Sequence, residues 1–150
     1  MGATIAKKFI FESFLSHDLA RAFLHGHSYT ANPLACAAAN ASLDLLLKPE
    51  CQKAREMIEA EHVRFQKQWE NHPKLMRSDV VGTILAIEYK TENASYYSPL
   101  KERLIDFFRA EGVLLRPLGN VLYLLPPYCI SRKELQKIYS LIAITLEEWL

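Results

Sequence analysis

Residues 25–34 read His-Gly-His-Ser-Tyr-Thr-Ala-Asn-Pro-Leu, a small, hydroxyl-bearing loop that runs straight into an alanine-rich segment. The start of a helix is marked there twice. Asn32 can cap it, because its side-chain oxygen accepts a bond from an unpaired first-turn amide. Pro33 suits the first helical position, where a missing N–H costs nothing. Such helix starts collect free N–H donors and the positive end of the helix dipole, so they suit an anion, phosphate above all. A local use is also open to Ser28, as the cap of an amide within a polar turn. Arg116 is the second residue placed for recognition, flanked by Leu114, Leu115, Pro117 and Leu118. A guanidinium among leucines must pair with a structural carboxylate, reach solvent along its stem, or face a ligand. Facing a ligand, its planar fork matches a carboxylate with two parallel bonds.

Other chemistries find little support. His25 and His27 stand at i, i+2 without a third ligand at metal spacing, so no metal site is expected. His17, His62 and His72 are scattered and read as solvated or packed. Asp106 with Glu111, and Glu147 with Glu148, read as helix-surface charge. Lys7, Lys8, Lys53, Lys67, Lys101, Lys133 and Lys137 sit in helix-surface or turn contexts, with no apolar pocket to make any of them a nucleophile. No catalytic residue is therefore assigned within the chain. Nucleophile-elbow, P-loop and dinucleotide-binding patterns are absent from the sequence.

The elements that must hold these residues are readable from periodicity. Residues 5–15 read as a short helix that brings together Phe9, Phe11 and Phe14, core rather than a stacking platform, or, in a truncated protein, an exposed former interface. His17 to Ala31 reads as loop. Leu34 to Leu47 reads as a helix, and a second follows the Lys48-Pro49 break from about Glu50 to Glu70, where Met57, Ile58, Val63, Phe65 and Trp69 recur at helical spacing. Val80 to Tyr89 reads as one strand, with Gly82 as a bulge or close approach. Ser98-Pro99 opens a helix that runs to about Glu111, ahead of Gly112. Val113–Arg116 and Val121–Leu125, joined by Pro117-Leu118-Gly119-Asn120, give a hairpin signal. Ser131 with Glu134 forms a capping box for the last helix. The fold class this predicts is α+β, a small antiparallel sheet covered by helices.

The 150 residues suffice for a real core, burying about two thirds of the unfolded surface. Half are hydrophobic and 23% are charged, which is globular composition. A formal net charge of +1, without a Lys/Arg run, gives no reason to expect nucleic acid or an anionic membrane as partner. Cys36, Cys51 and Cys129 are odd in number and widely spaced, so reduced thiols are expected. The longest apolar run, Leu34 to Leu47, is too short to span a bilayer and carries Asn40 and Asp44. No charged start followed by an apolar stretch marks the N-terminus, and Ala6 stands where a myristoylation signal needs Ser or Thr. A cytoplasmic protein is expected. No linker of distinctive composition marks an internal boundary.

Two blocks, residues 25–43 and 113–128, carry a resemblance to a known family. The first is the His-Gly-His-Ser-Tyr-Thr-Ala-Asn-Pro-Leu loop with the Ala-Cys-Ala-Ala-Ala-Asn-Ala-Ser-Leu helix. The second centres on Leu-Arg-Pro-Leu-Gly-Asn-Val-Leu-Tyr-Leu-Leu-Pro-Pro-Tyr. Together they resemble the fold-type I, class III aminotransferases that use pyridoxal 5'-phosphate. The second block leans toward the members that act on 8-amino-7-oxononanoate in biotin biosynthesis. The resemblance implies that Gly26, His27 and Ser28 contact the cofactor phosphate of the neighbouring subunit in a homodimer. It implies that Arg116 receives the substrate carboxylate and that Tyr123 lines the same pocket.

The resemblance covers nearly the whole chain and corresponds to roughly the last third of a family enzyme. Residues 1–33 would be the end of the large cofactor domain, with the phosphate-contact loop. Residues 34–150 would be the linking helix and the small C-terminal domain. The lysine that carries the cofactor, the aspartate on its ring nitrogen, the stacked aromatic and the main phosphate loop would all lie upstream of this segment. The segment alone is thus expected to be inactive and not to hold the cofactor tightly. Two alternatives stand beside this reading: a noncatalytic binding or oligomerisation module that keeps the small-domain fold, and a piece of another class III aminotransferase, acting on ornithine or γ-aminobutyrate.

Overall fold

The computed structural model describes residues 2–91, 95 and 97–149. It divides the chain into two compact units, 1–47 and 48–150. The division falls at the Lys48-Pro49 break, where proline cannot continue the preceding helix.

The first unit holds two helices. Helix α1 (Lys8–Glu12) has five residues, shorter than the expected 5–15. No side chain caps it, and so short a helix has little intrinsic stability. Phe9, Phe11 and Phe14 are exposed rather than core, because nothing in this small unit covers them. Phe14 instead packs on Phe23, with ring centroids 5.3 Å apart. Between 17 and 31 the loop holds one 3-10 turn, Leu19–Arg21, capped by Asp18. Helix α2 (Pro33–Leu46) begins as its sequence dictates: Asn32 accepts from the Ala35 amide at 3.1 Å, and Pro33 is the first helical residue.

The second unit is α+β. Helix α3 (Pro49–Trp69), helix α4 (Pro99–Ala110) and helix α5 (Arg132–Glu148) pack with a three-stranded antiparallel sheet. The strands are β1 (Leu75–Val81), β2 (Ile84–Tyr89) and β3 (Val121–Leu124), in that spatial order. The single strand expected over 80–89 is thus two, turning back at Gly82-Thr83. Gly82 has φ +55° while Thr83 does not enter the positive region. That is the pattern of a type II′ hairpin turn with glycine first. Gly82 is a turn residue, not a bulge.

The hairpin expected over 113–125 is also corrected. Only Val121–Leu124 is a strand, and it pairs with β2, through Leu85↔Leu124, Ala86↔Tyr123, Ile87↔Leu122 and Glu88↔Val121. A tight turn does form, with Leu118 and Val121 exchanging both backbone bonds at 2.8 and 3.0 Å. Among the described residues, pairing with β3 on this side stops at that one bridge.

Alternation sorts the sheet into two faces. Leu85, Ile87, Tyr89, Leu122 and Leu124 are buried against Ile58 and Phe65 of α3, Leu104 and Phe108 of α4, and Leu135, Ile142 and Leu146 of α5. Ala86, Glu88, Val121 and Tyr123 lie on the opposite, half-covered face. The caps follow the sequence. Ser98 caps α4, Gly112 follows it at φ +74°, and Ser131 and Glu134 form the reciprocal capping box of α5. The Ser131 hydroxyl and amide, both donating to Glu134 Oε2 at 2.7 Å, hold that carboxyl below its ordinary range.

Candidate functional site

In the first unit, Gly26, His27 and Ser28 lie on an exposed loop that turns at 28–31 into α2. The turn is tied internally. The His27 amide donates to Thr30 Oγ1 at 3.3 Å, and the Tyr29 amide to His27 Nδ1 at 3.2 Å. The Thr30 amide donates to the His27 carbonyl at 3.0 Å. Asn32, not Ser28, caps the helix. The Ser28 amide and hydroxyl have no partner among the described residues, so the local use for Ser28 is not realised. A β-carbon built on Gly26 would meet nothing within 4 Å, so that backbone is open to approach. Free donors beside a capped helix start fit a phosphate-sized anion. Ala31 completes the turn at φ +53°, a left-handed conformation that costs a non-glycine residue about 1–2 kcal/mol.

In the second unit, Arg116 lies in the extended stretch between Gly112 and the Leu118–Val121 turn. It is exposed, and among the described residues it has neither a carboxylate partner nor a hydrogen bond. The structural-pairing option for this guanidinium is therefore not used; its fork reaches solvent and is open to a ligand. Tyr123 follows on β3, half-buried on the open face of the sheet opposite Ala86, with no hydrogen bond to its hydroxyl among the described residues. Arg116 and Tyr123 flank one turn.

The turn is held by Asn120, which sequence reasoning did not single out. Its carbonyl accepts from the Tyr89 amide at 2.9 Å, and its side-chain amide donates to the Tyr89 carbonyl at 2.9 Å. The same side-chain nitrogen lies 3.5 Å from Glu88 Oε1. Gly119, at φ +61°, supplies the left-handed residue the turn needs.

A second polar group lies beneath the core. Glu61, 1% exposed, meets Arg64 at 3.1 Å and Arg132 at 3.2 Å, and accepts from the Gln136 amide at 2.8 Å. Its neighbour His62 is fully buried. Tyr139 O–H lies 2.6 Å from Nδ1, and the Thr83 carbonyl lies 3.2 Å from Nε2. A carbonyl only accepts, so Nε2 carries the proton and Nδ1 accepts from tyrosine. Burial holds this imidazole below its ordinary value, outweighing the opposing bond to Thr83. Burial likewise pushes the Tyr139 and Tyr89 hydroxyls upward. The signal for these residues was polar side chains standing on the apolar stripe of α3, at Ile58 plus three and plus four.

Among the described residues no cluster of His, Cys, Asp and Glu could hold a metal ion, and His25 with His27 makes none. No described helix is long and apolar enough to cross a membrane. No described lysine is buried. Asp106, Glu111, Glu147 and Glu148 are exposed helix-surface or helix-end charges.

Comparison with known proteins places the chain in a family. The adenosylmethionine-8-amino-7-oxononanoate aminotransferase of Synechococcus elongatus is 45% identical over 99% of this chain, which spans 34% of that relative. The mitochondrial bifunctional dethiobiotin synthetase/7,8-diamino-pelargonic acid aminotransferase of Arabidopsis thaliana is 33% identical over 93% of the chain and 18% of its own length. The crystal structure of the Methanocaldococcus jannaschii adenosylmethionine-8-amino-7-oxononanoate aminotransferase superposes at TM-score 0.73 with 25% identity, over 89% of this chain and 33% of that one. A Bacillus anthracis aminotransferase shares the fold at TM-score 0.76 and 20% identity, over 94% and 34%. The chain thus spans about a third of the Synechococcus relative and of these two solved chains. Residues 1–146 match the family described as aminotransferase class-III, and the chain belongs to that family.

Proposed function

We propose that this chain is the C-terminal part of a pyridoxal 5'-phosphate-dependent aminotransferase that converts 8-amino-7-oxononanoate to 7,8-diaminononanoate in biotin biosynthesis. The observation that carries the reading is Arg116, an exposed guanidinium without a partner among the described residues, across the Leu118–Val121 turn from a half-buried tyrosine. In this reading Arg116 binds the substrate carboxylate through its bidentate fork and Tyr123 lines the pocket. Gly26, His27 and Ser28 offer the loop amides and the Ser28 hydroxyl to the cofactor phosphate of the partner subunit in a cytoplasmic homodimer. When bound, the cofactor supplies an electron sink for the reacting carbon. This chain orients the far end of the substrate and one end of the cofactor. Residues 1–33 belong to the cofactor domain and 34–150 to the linking helix and small domain; alone, the chain does not turn over substrate. The relatives named for this reaction support the assignment.

A noncatalytic oligomerisation module is the second reading, favoured by residues 48–150 forming a compact unit with its own core. A fusion of this chain behind the upstream two thirds of the Synechococcus relative distinguishes them. In that fusion, Arg116→Lys replaces a fork by a point charge and should cost about 1–3 kcal/mol in the keto-substrate half-reaction. The amino-donor half-reaction should be spared. Equal losses in both would assign Arg116 to folding and favour the second reading.

A further inference from the structure

We infer that Asn120 is a positioning residue that sets where Arg116 meets the substrate carboxylate, an inference that rests on the carboxylate role given to Arg116. Arg116 stands in no strand and makes no bond of its own among the described residues, so its place is decided by what holds the segment around it. One residue on, Pro117 is buried. Beyond it the Leu118–Val121 turn closes on two backbone bonds. That turn needs an anchor to the sheet, and Asn120 provides it twice, through its backbone carbonyl and its side-chain amide, both on Tyr89. Tyr89 is itself fixed: its hydroxyl lies 2.6 Å from Thr145 Oγ1, which donates to the Ile142 carbonyl at 2.7 Å within α5. Arg116 is thus referred to the core through Asn120 and Tyr89. The backbone bond alone would continue the β2–β3 register. The side-chain bond adds a second tether and fixes the rotation of the turn. Glu88 reinforces the clamp at 3.5 Å from the same nitrogen, from the sheet face that carries Tyr123.

The test uses the fusion enzyme with Asn120→Asp, an isostere that loses the N–H donors and sets a carboxylate against the Tyr89 carbonyl and Glu88. Asn120→Ser, shorter and uncharged, accompanies it. A small displacement of a binding group is felt strongly in rate, so kcat/KM for 8-amino-7-oxononanoate should fall on the order of tenfold to a hundredfold. Cofactor loading and the amino-donor half-reaction should match the parent. Because Asn120 acts through Arg116, Asn120→Asp should cost nothing further in an Arg116→Ala background, a non-additive pair. Additive losses would overturn the inference, as would loss of cofactor loading in both variants, which would make Asn120 a folding residue. Asn120 variants equal to the parent while Arg116→Lys is impaired would sink this inference alone. An Arg116→Lys enzyme with unchanged use of the keto substrate would instead remove the reading beneath it.

Discussion

His62 gives the sharpest stability prediction. Its imidazole is fully buried, with Nδ1 accepting from Tyr139 and Nε2–H donating to the Thr83 carbonyl of the β1–β2 turn. Protonation would turn Nδ1 into a donor facing a hydroxyl that already points its hydrogen inward, and would place a desolvated charge in the core. Burial therefore keeps the folded-state value below the ordinary 6.5. Between 6.5 and the folded value, only the unfolded chain takes up the proton. The contribution is complete above 6.5 and is lost as pH falls below it. One proton of difference gives a slope approaching about 1.4 kcal/mol per pH unit. Integrated from about pH 7.5 to about pH 5.5, the loss reaches at most about 1.4 kcal/mol. For a unit of this size each kcal/mol moves the melting midpoint by about 4–8 °C. Thermal and urea unfolding of the chain and of His62→Gln at the two pH values measures it. Glutamine offers one acceptor and one donor to the same partners but does not titrate, so His62→Gln should show a flatter dependence. Identical pH slopes in the two proteins would refute the reasoning.

Gly82→Val should destabilise the second unit by about 1–2 kcal/mol in urea unfolding through its left-handed φ of +55°, although space around the residue is open. Gly82→Asn should cost less, and equal effects would show that the turn relaxes. Pyridoxal 5'-phosphate added to the isolated chain, followed by borohydride and peptide mapping, should label no single lysine stoichiometrically, since none described is buried; one such lysine with turnover would contradict the expected inactivity. Sedimentation over a concentration series should show the isolated chain self-associating, because Ile5, Phe9, Phe11 and Phe23 are exposed. A strictly monomeric chain would contradict that.

Helix ends were legible because their chemistry is local. Asn32-Pro33, Ser98-Pro99 and Ser131 with Glu134 each settle a boundary within about one turn of chain, and the structure shows all three. Strands were harder. Leu75–Val81 mixes Arg77, Ser78 and Asp79 into its run, and only its pairing with β2 makes it a strand. Gly82 permits either a bulge or a turn, and the partner strand decides. The turn signal at Pro117–Asn120 was sound, yet the ladder expected before it stops at the Leu118–Val121 bridge, while β3 pairs with β2 instead. The phenylalanines near 9–14 read as core or as an exposed interface, and they are exposed because their small unit has nothing to cover them. Glu61 and Asn120 were missed, and His62 was read as solvated or packed without its partners, for a common reason: Gln136, Tyr89 and Tyr139 stand 75, 31 and 77 residues away from them. The polar positions on the α3 stripe mark Glu61 and His62 locally, but contacts of that range leave no local sign of the partner. The roles proposed for Arg116 and Tyr123 come from the resemblance, and the residues alone left the role of Arg116 open.

The most direct measurement is single-turnover amination of 8-amino-7-oxononanoate by the fusion of this chain with the upstream part of the Synechococcus relative, loaded with the aminated cofactor. The account predicts formation of 7,8-diaminononanoate, at a rate that falls with Arg116→Lys while the donor half-reaction holds. A fusion that loads cofactor and accepts an amino group from its donor, yet passes none to 8-amino-7-oxononanoate, would contradict it.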